Sequence, residues 1–120
     1  MRALIGIALF AFASAAHGLD GAEIELGVMR GYVVPVCLNR EEGVALLSTA
    51  EKYGPDGVSG VLLAEGNHCG LSRYFYKPLR VIARGTLPDG EHLSLIEAID
   101  RDGDAAFMLV AIPIKGEHAI

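Results

Sequence analysis

Tryptophan is absent from this 120-residue chain, cysteine occurs only twice, and ten Lys and Arg are outnumbered by fifteen Asp and Glu. Nucleic-acid binders concentrate cations to displace the counterions of phosphate, so a formal charge of −5 argues against nucleic acid, which is not expected as a partner. The length excludes a tandem array or a large multidomain enzyme and leaves one domain as the ceiling. No Gly-rich phosphate loop, G-x-S-x-G elbow or H-E-x-x-H motif occurs, so nucleotide, serine-hydrolase and zinc-protease chemistry lack their usual signatures. Internal repeats, low-complexity tracts and linkers are also missing. Fifteen glycines and a mean hydropathy of +0.38 suit a small compact domain once one strongly apolar end is set aside.

That end is the N-terminus. Arg2 is followed by an uncharged apolar stretch and then the small residues Ala13, Ser14, Ala15 and Ala16. A positive start, an apolar segment and a small-residue site are the three parts of a secretory leader. The uncharged stretch over 3–16 falls short of the roughly 20 residues that a spanning helix needs. The expectation is therefore a cleaved signal peptide over 1–16, cut after Ala15 or Ala16, and a single domain over 17–120. No cysteine stands near the cut to take a lipid, so no membrane anchor is expected after cleavage. The product is expected to be exported, to the periplasm if the source is bacterial and otherwise to the extracellular space.

Export sets the reading of the two thiols. In an oxidising compartment Cys37 and Cys69 are expected to pair in a structural disulfide. Closing a loop of roughly 33 residues would stabilise the fold by about 3.7 kcal/mol in the chain-entropy model. A reactive thiol is the competing reading, because His68 precedes Cys69. Adjacent residues of an extended segment point to opposite sides, however, which weakens a thiolate–imidazole pair.

Hydrophobic period gives the elements. Residues 23–28 alternate acid and apolar, as a half-wet strand does, and 31–37 extend them. Pro35 lacks a ladder donor and so places the end of this strand at a sheet edge or already outside the pairing. Asn39, with Glu42 three residues on, reads as a helix N-cap. Gly43, Leu46, Leu47, Ala50 and Tyr53 share one helical face, while Arg40, Glu41, Glu51 and Lys52 stay in water. Gly54 and Pro55 should end this helix, and Asp56 should cap a second that runs to about Glu65, with Val58, Val61, Leu62 and Leu63 inward and Gly66 as its stop.

From Leu71 the chain turns to strands. Residues 71–84 are aromatic and β-branched, Pro88, Asp89 and Gly90 make a turn, and 93–100 and 105–112 flank Asp102 and Gly103 as a hairpin. The last strand, apolar throughout, should lie centrally and be buried on both faces. The expected fold is α+β: an antiparallel sheet of about four strands, in the order β-α-α-β-β-β, with two helices on one face and one disulfide bracketing them.

Chemistry has few footholds. Asp100, Asp102 and Asp104 alternate as cation ligands can, but the glycine and the terminal glutamate of a calcium loop are misplaced, and a solvated acidic turn is expected. His68, His92 and His118 have no ligand spacing, so no metal and no cofactor are expected. The most distinctive segment holds Arg73, Tyr74, Phe75, Tyr76, Lys77, Arg80 and Arg84. Tyr74 and Tyr76 share one face of a strand, with Arg73, Phe75 and Lys77 on the other.

The expected function is a small exported binding or accessory protein, non-enzymatic, that meets a protein or envelope component through Arg73, Tyr74, Tyr76, Lys77 and Arg80. Two alternatives stand beside it. One is an exported hydrolase using His68 or His92 with Glu97 or Asp100, or a thiol enzyme using Cys69; the other is a structural assembly subunit of the envelope.

Overall fold

A computed structural model describes residues 23–116. The leader expected over 1–16, together with His17 and His118, lies outside the described residues. Five elements follow one another: β1 (Arg30–Cys37), α1 (Arg40–Leu63), β2 (Cys69–Thr86), β3 (His92–Asp100) and β4 (Ala105–Val110).

Two turns of one design build the C-terminal half. In each, a glycine amide closes a three-residue step: Gly90 N bonds to Leu87 O at 2.8 Å, and Gly103 N to Asp100 O at 3.1 Å. Both glycines take the left-handed conformation, at φ 97° and 86°. Pro88-Asp89 and Arg101-Asp102 occupy the two central positions, so the second hairpin turns one residue earlier than a tight Asp102-Gly103 reversal would. Asp side chains lock both turns, through Asp89 Oδ1 to Glu91 N at 2.9 Å and Asp100 Oδ1 to Asp102 N at 2.8 Å.

All four strands pair antiparallel, and β2 is the pivot. Its first half pairs with β1, from Cys37↔Cys69 to Arg30↔Tyr76, and its second half with β3, from Tyr76↔Asp100 to Thr86↔His92. Register shifts between Pro78 and Arg80 and between Val81 and Ala83 bend it. The sheet closes into a barrel because Val36 and Cys37 pair with β2 on one side and with Met108 and Phe107 of β4 on the other. The end of β1 is thus not at an edge, contrary to what Pro35 implies: Val36 and Cys37 beyond it are flanked on both sides, and Pro35, paired with Leu71, stands just before the β4 pairing begins, where its missing N–H is tolerated.

Alternation along these strands makes two cores. Tyr32, Val34, Val36, Tyr76, Ile96, Ala98, Ala106, Met108 and Val110 fill the barrel, joined by Ile24, Ile112 and Ile114. Leu93, Leu95, Phe107 and Leu109 face outward against Leu46, Leu47, Ala50 and Val58 of α1. β4 is thus buried on both faces, as its unbroken apolar run requires.

The helix begins as its sequence implies. Asn39 is extended, and its Oδ1 accepts Glu42 N at 2.9 Å. Gly43 sits where an added Cβ would lie 3.2 Å from Leu95 and Phe107, which is why no larger residue faces the sheet there.

Several expectations need correction. Among the described residues one helical element spans 40–63 in place of two separate helices, but the break expected at Gly54 and Pro55 is there: Gly54, at φ 70° and ψ −162°, is non-helical and kinks α1 between two helical halves. Pro55 and Asp56 can enter a helical turn directly after that bend, since proline fits a first turn. Tyr53, placed in the core by its spacing, is 67% exposed beside the bend, and Leu63 is also exposed. Residues 23–28 are not a ladder strand. Only Ile24 bridges, parallel to Ile114, and Gly27 turns at φ 84°. The Cys37–Cys69 disulfide forms, but it joins directly opposed residues of neighbouring strands and does not pin the helix to the sheet.

Candidate interaction surface

Barrel closure leaves β2 incompletely paired. Tyr76 alone pairs on both sides, with Arg30 and with Asp100. It follows that residues 70–75 have β1 on one side and no strand on the other among the described residues. The second half has the reverse arrangement, but Pro78, the two bulges and α1 cover that edge, with Thr86 N held by Glu51 Oε2 at 3.3 Å. Proline, bulges and a covering helix are common protections of a sheet edge, and among the described residues the 70–75 edge has none of them.

Apolar side chains gather at that edge. Leu38 is 63% exposed, and Leu71, Tyr74 and Phe75 are each about 40% exposed. Leu38, Leu71 and Tyr74 line a shallow groove of about 500 Å³, together with Val36, His68 and Arg73. Tyr74 packs edge-on against both Phe75 and Tyr76, at centroid distances of 6.5 and 5.9 Å. Phe75 in turn lies beside Gly31 and beneath the Arg101 guanidinium, 4.0 Å from its ring centroid.

The five residues expected at a partner surface do not act as one group. Arg73 and Tyr74 are exposed on the open edge, and Lys77 is half-buried. Tyr76 is only 6% exposed, its hydroxyl 2.7 Å from Ser72 Oγ, so its ring belongs to the barrel interior and is not available to a partner. Strand alternation put Tyr74 and Tyr76 on one face correctly; what differs is that β3 reaches Tyr76 and stops there. Arg80 is exposed but paired with Glu97 at 2.7 Å.

The residues considered for catalysis are dispersed. Cys69 is bonded to Cys37 and presents no free thiol in this structure. His92 and Asp100 stand at opposite ends of β3, about 27 Å apart along an extended strand. Glu97 is taken by Arg80, and Asp100 Oδ1 accepts the amides of Asp102 and Asp104. The carboxylates of Asp100, Asp102 and Asp104 approach within 4.8 Å of one another at the exposed turn.

His68 has a partner that sequence reasoning missed. Glu42 Oε1 lies 2.9 Å from His68 Nδ1 and 2.7 Å from Asn39 Nδ2, and Glu42 Oε2 accepts His68 N at 3.2 Å. Desolvation works to raise the Glu42 carboxyl, but the backbone and ring of His68 and the amide of Asn39 together hold it below its ordinary value. The pair clamps the start of α1 to the segment entering β2. Only the capping half of it was legible, because His68 lies 26 positions away.

No helix among the described residues is long and apolar enough to cross a membrane. Comparison of the chain with protein-family models, with curated proteins and with solved structures finds no match.

Proposed function

We propose that the protein is a small exported binding or accessory protein, non-enzymatic, that meets a protein or envelope component through the open flank of β2. Arg73 and Tyr74, on that flank, are its central contact residues, and Lys77 and Arg80 lie beyond it along the same strand, at the margin of the surface. The observation that carries this reading is the collection of Leu38, Leu71, Tyr74 and Phe75, all substantially exposed, along one sheet edge beside Arg73. Exposed aromatic and Arg side chains supply rigid contact area with polar handles, as the anchors of interfaces do. The Cys37–Cys69 bond and the leader grammar of 1–16 support export.

Two measurements test it. A pull-down from envelope extract compares wild type with a R73A/Y74A/K77A/R80A variant; loss of a partner is expected, and identical partner profiles remove the surface. Intact mass of the natural product, before and after reduction and alkylation, is expected to show a shortened N-terminus and thiols that react only after reduction. A product that starts at Met1 with two free thiols overturns the export reading.

A further inference from the structure

The surface just assigned has a backbone as well as side chains, and the backbone restricts the kind of partner. Over residues 70–75 one side of β2 faces no strand among the described residues, so its outward N–H and C=O groups are available to an added chain. The two faces beside that edge differ. Ser72, Tyr74 and Tyr76 project to the barrel side, where Tyr74 prolongs the interior beyond Tyr76 and the groove with Val36 and Leu38 begins. Leu71, Arg73, Phe75 and Lys77 project outward, and Arg101 lies over Phe75 on that side. The barrel-side face is therefore uncharged and largely aromatic, whereas the outer face is mixed, with Arg73 and Arg101 as its cations among the exposed Leu71 and Phe75.

We propose that this edge accepts an extended segment of a second protein as an added strand, one whose alternate side chains are apolar toward Tyr74 and acidic toward Arg73. The proposal rests on the reading of β2 as the partner surface and specifies how that surface is used. Period-two alternation in the incoming strand matches the period-two contrast of the edge. The acidic turn of Asp100, Asp102 and Asp104 stands at the Tyr76 end, so the charge preference is centred on Arg73, in the middle of the edge.

The test uses the full chain and three labelled peptides of about ten residues: alternating Val and Glu, alternating Val and Lys, and the Val-Glu peptide N-methylated at every second amide. Anisotropy reads affinity, and amide hydrogen exchange followed by NMR reads the edge. The Val-Glu peptide is expected to bind, to slow exchange of alternate amides within 70–75, and to lose about tenfold or more in affinity on N-methylation. The Val-Lys peptide is expected to bind at least about tenfold more weakly, and R73E to reverse that preference. Binding that is indifferent to N-methylation, or that leaves the 70–75 amides unprotected, overturns strand addition. If the R73A/Y74A/K77A/R80A variant still loses its partner in that case, the surface stands and only its mode of use falls. Protection that grows with protein concentration in the absence of peptide assigns the edge to a second copy of this chain and likewise overturns the proposal.

Discussion

Tyr32 and Tyr76 both place a phenol in the barrel interior, with different consequences. The Tyr76 hydroxyl meets Ser72 Oγ at 2.7 Å, whereas the Tyr32 hydroxyl is buried with no partner among the described residues. Burial accordingly raises the Tyr32 phenol above its ordinary value of 10.0, with Arg30 drawing it partly back. Removing a hydroxyl that lacks a partner relieves a desolvation cost, while removing a bonded one forfeits the bond and strands Ser72. Tyr32→Phe is expected to leave stability unchanged or raise it slightly, and Tyr76→Phe to lower it by about 1 kcal/mol, read from urea midpoints. Glu42 gives a pH dependence with a definite sign. Its carboxyl is held below its ordinary value near 4.5 in the folded state, so it stabilises the fold above that pH. The contribution disappears as pH falls through the lower folded value. Glu42→Gln should therefore be less stable than wild type at pH 6, and the gap should close as unfolding is repeated at successively lower pH below about 4.5.

At the scale of elements, α1 turns on Gly54. Its backbone occupies a region open to glycine alone, and its bend lays the second half of the helix so that Val58 reaches the outer core. Gly54→Ala is expected to destabilise by about 1–3 kcal/mol. Gly60 is helical, with open space around the position of a Cβ, so Gly60→Ala is expected to stabilise by about 0.5–1 kcal/mol. Thermal unfolding of the two variants side by side checks both signs. The same contrast explains the expectation of two helices. Gly-Pro is a strong local stop signal and does interrupt the helical torsions at Gly54; a single glycine absorbs the change of direction, and the second half follows without a loop, its Val58 packed against the sheet. β2 shows a similar override. Pro78 interrupts the strand pattern, yet the strand continues through it along β3, with a bulge directly after it and just beyond the change of partner at Tyr76.

For the whole molecule, closure depends on few residues. Among the described residues β1 and β4 are hydrogen-bond partners only at Val36 and Cys37, and β2 changes partner at Tyr76. The disulfide lies at the first of these joints, where Cys37 faces Cys69 across β1 and β2. Other pairs of the same ladder hold the register, as do the Leu38 N to His68 O bond of 2.9 Å and the Glu42 clamp. A Cys37→Ala/Cys69→Ala variant is therefore expected to keep its strand pairing, seen as unchanged cross-strand contacts by NMR. It should nonetheless lose about 3–4 kcal/mol of stability in urea titration, because the unfolded chain regains the entropy of an open loop. Loss of the β1–β2 pairing in that variant would show that the bond itself sets the register.

What the sequence determined by itself is whatever depends on neighbours in the chain. Pro88-Asp89-Gly90 and Asp102-Gly103 mark reversals because their torsions are local preferences. Asn39 and Glu42 mark a helix start because capping acts over three residues, and the run in β4 marks a doubly buried strand because every one of its side chains is apolar. Tertiary structure alone decided the rest. His68 meets Glu42 across 26 positions, and the cation of Arg101 meets the ring of Phe75 from a different hairpin. Tyr74 and Tyr76, alike in sequence and on one face, part company because β3 ends opposite the second of them. Exposure in a sheet depends on which strand arrives alongside and where it stops, and neither is encoded within the strand itself.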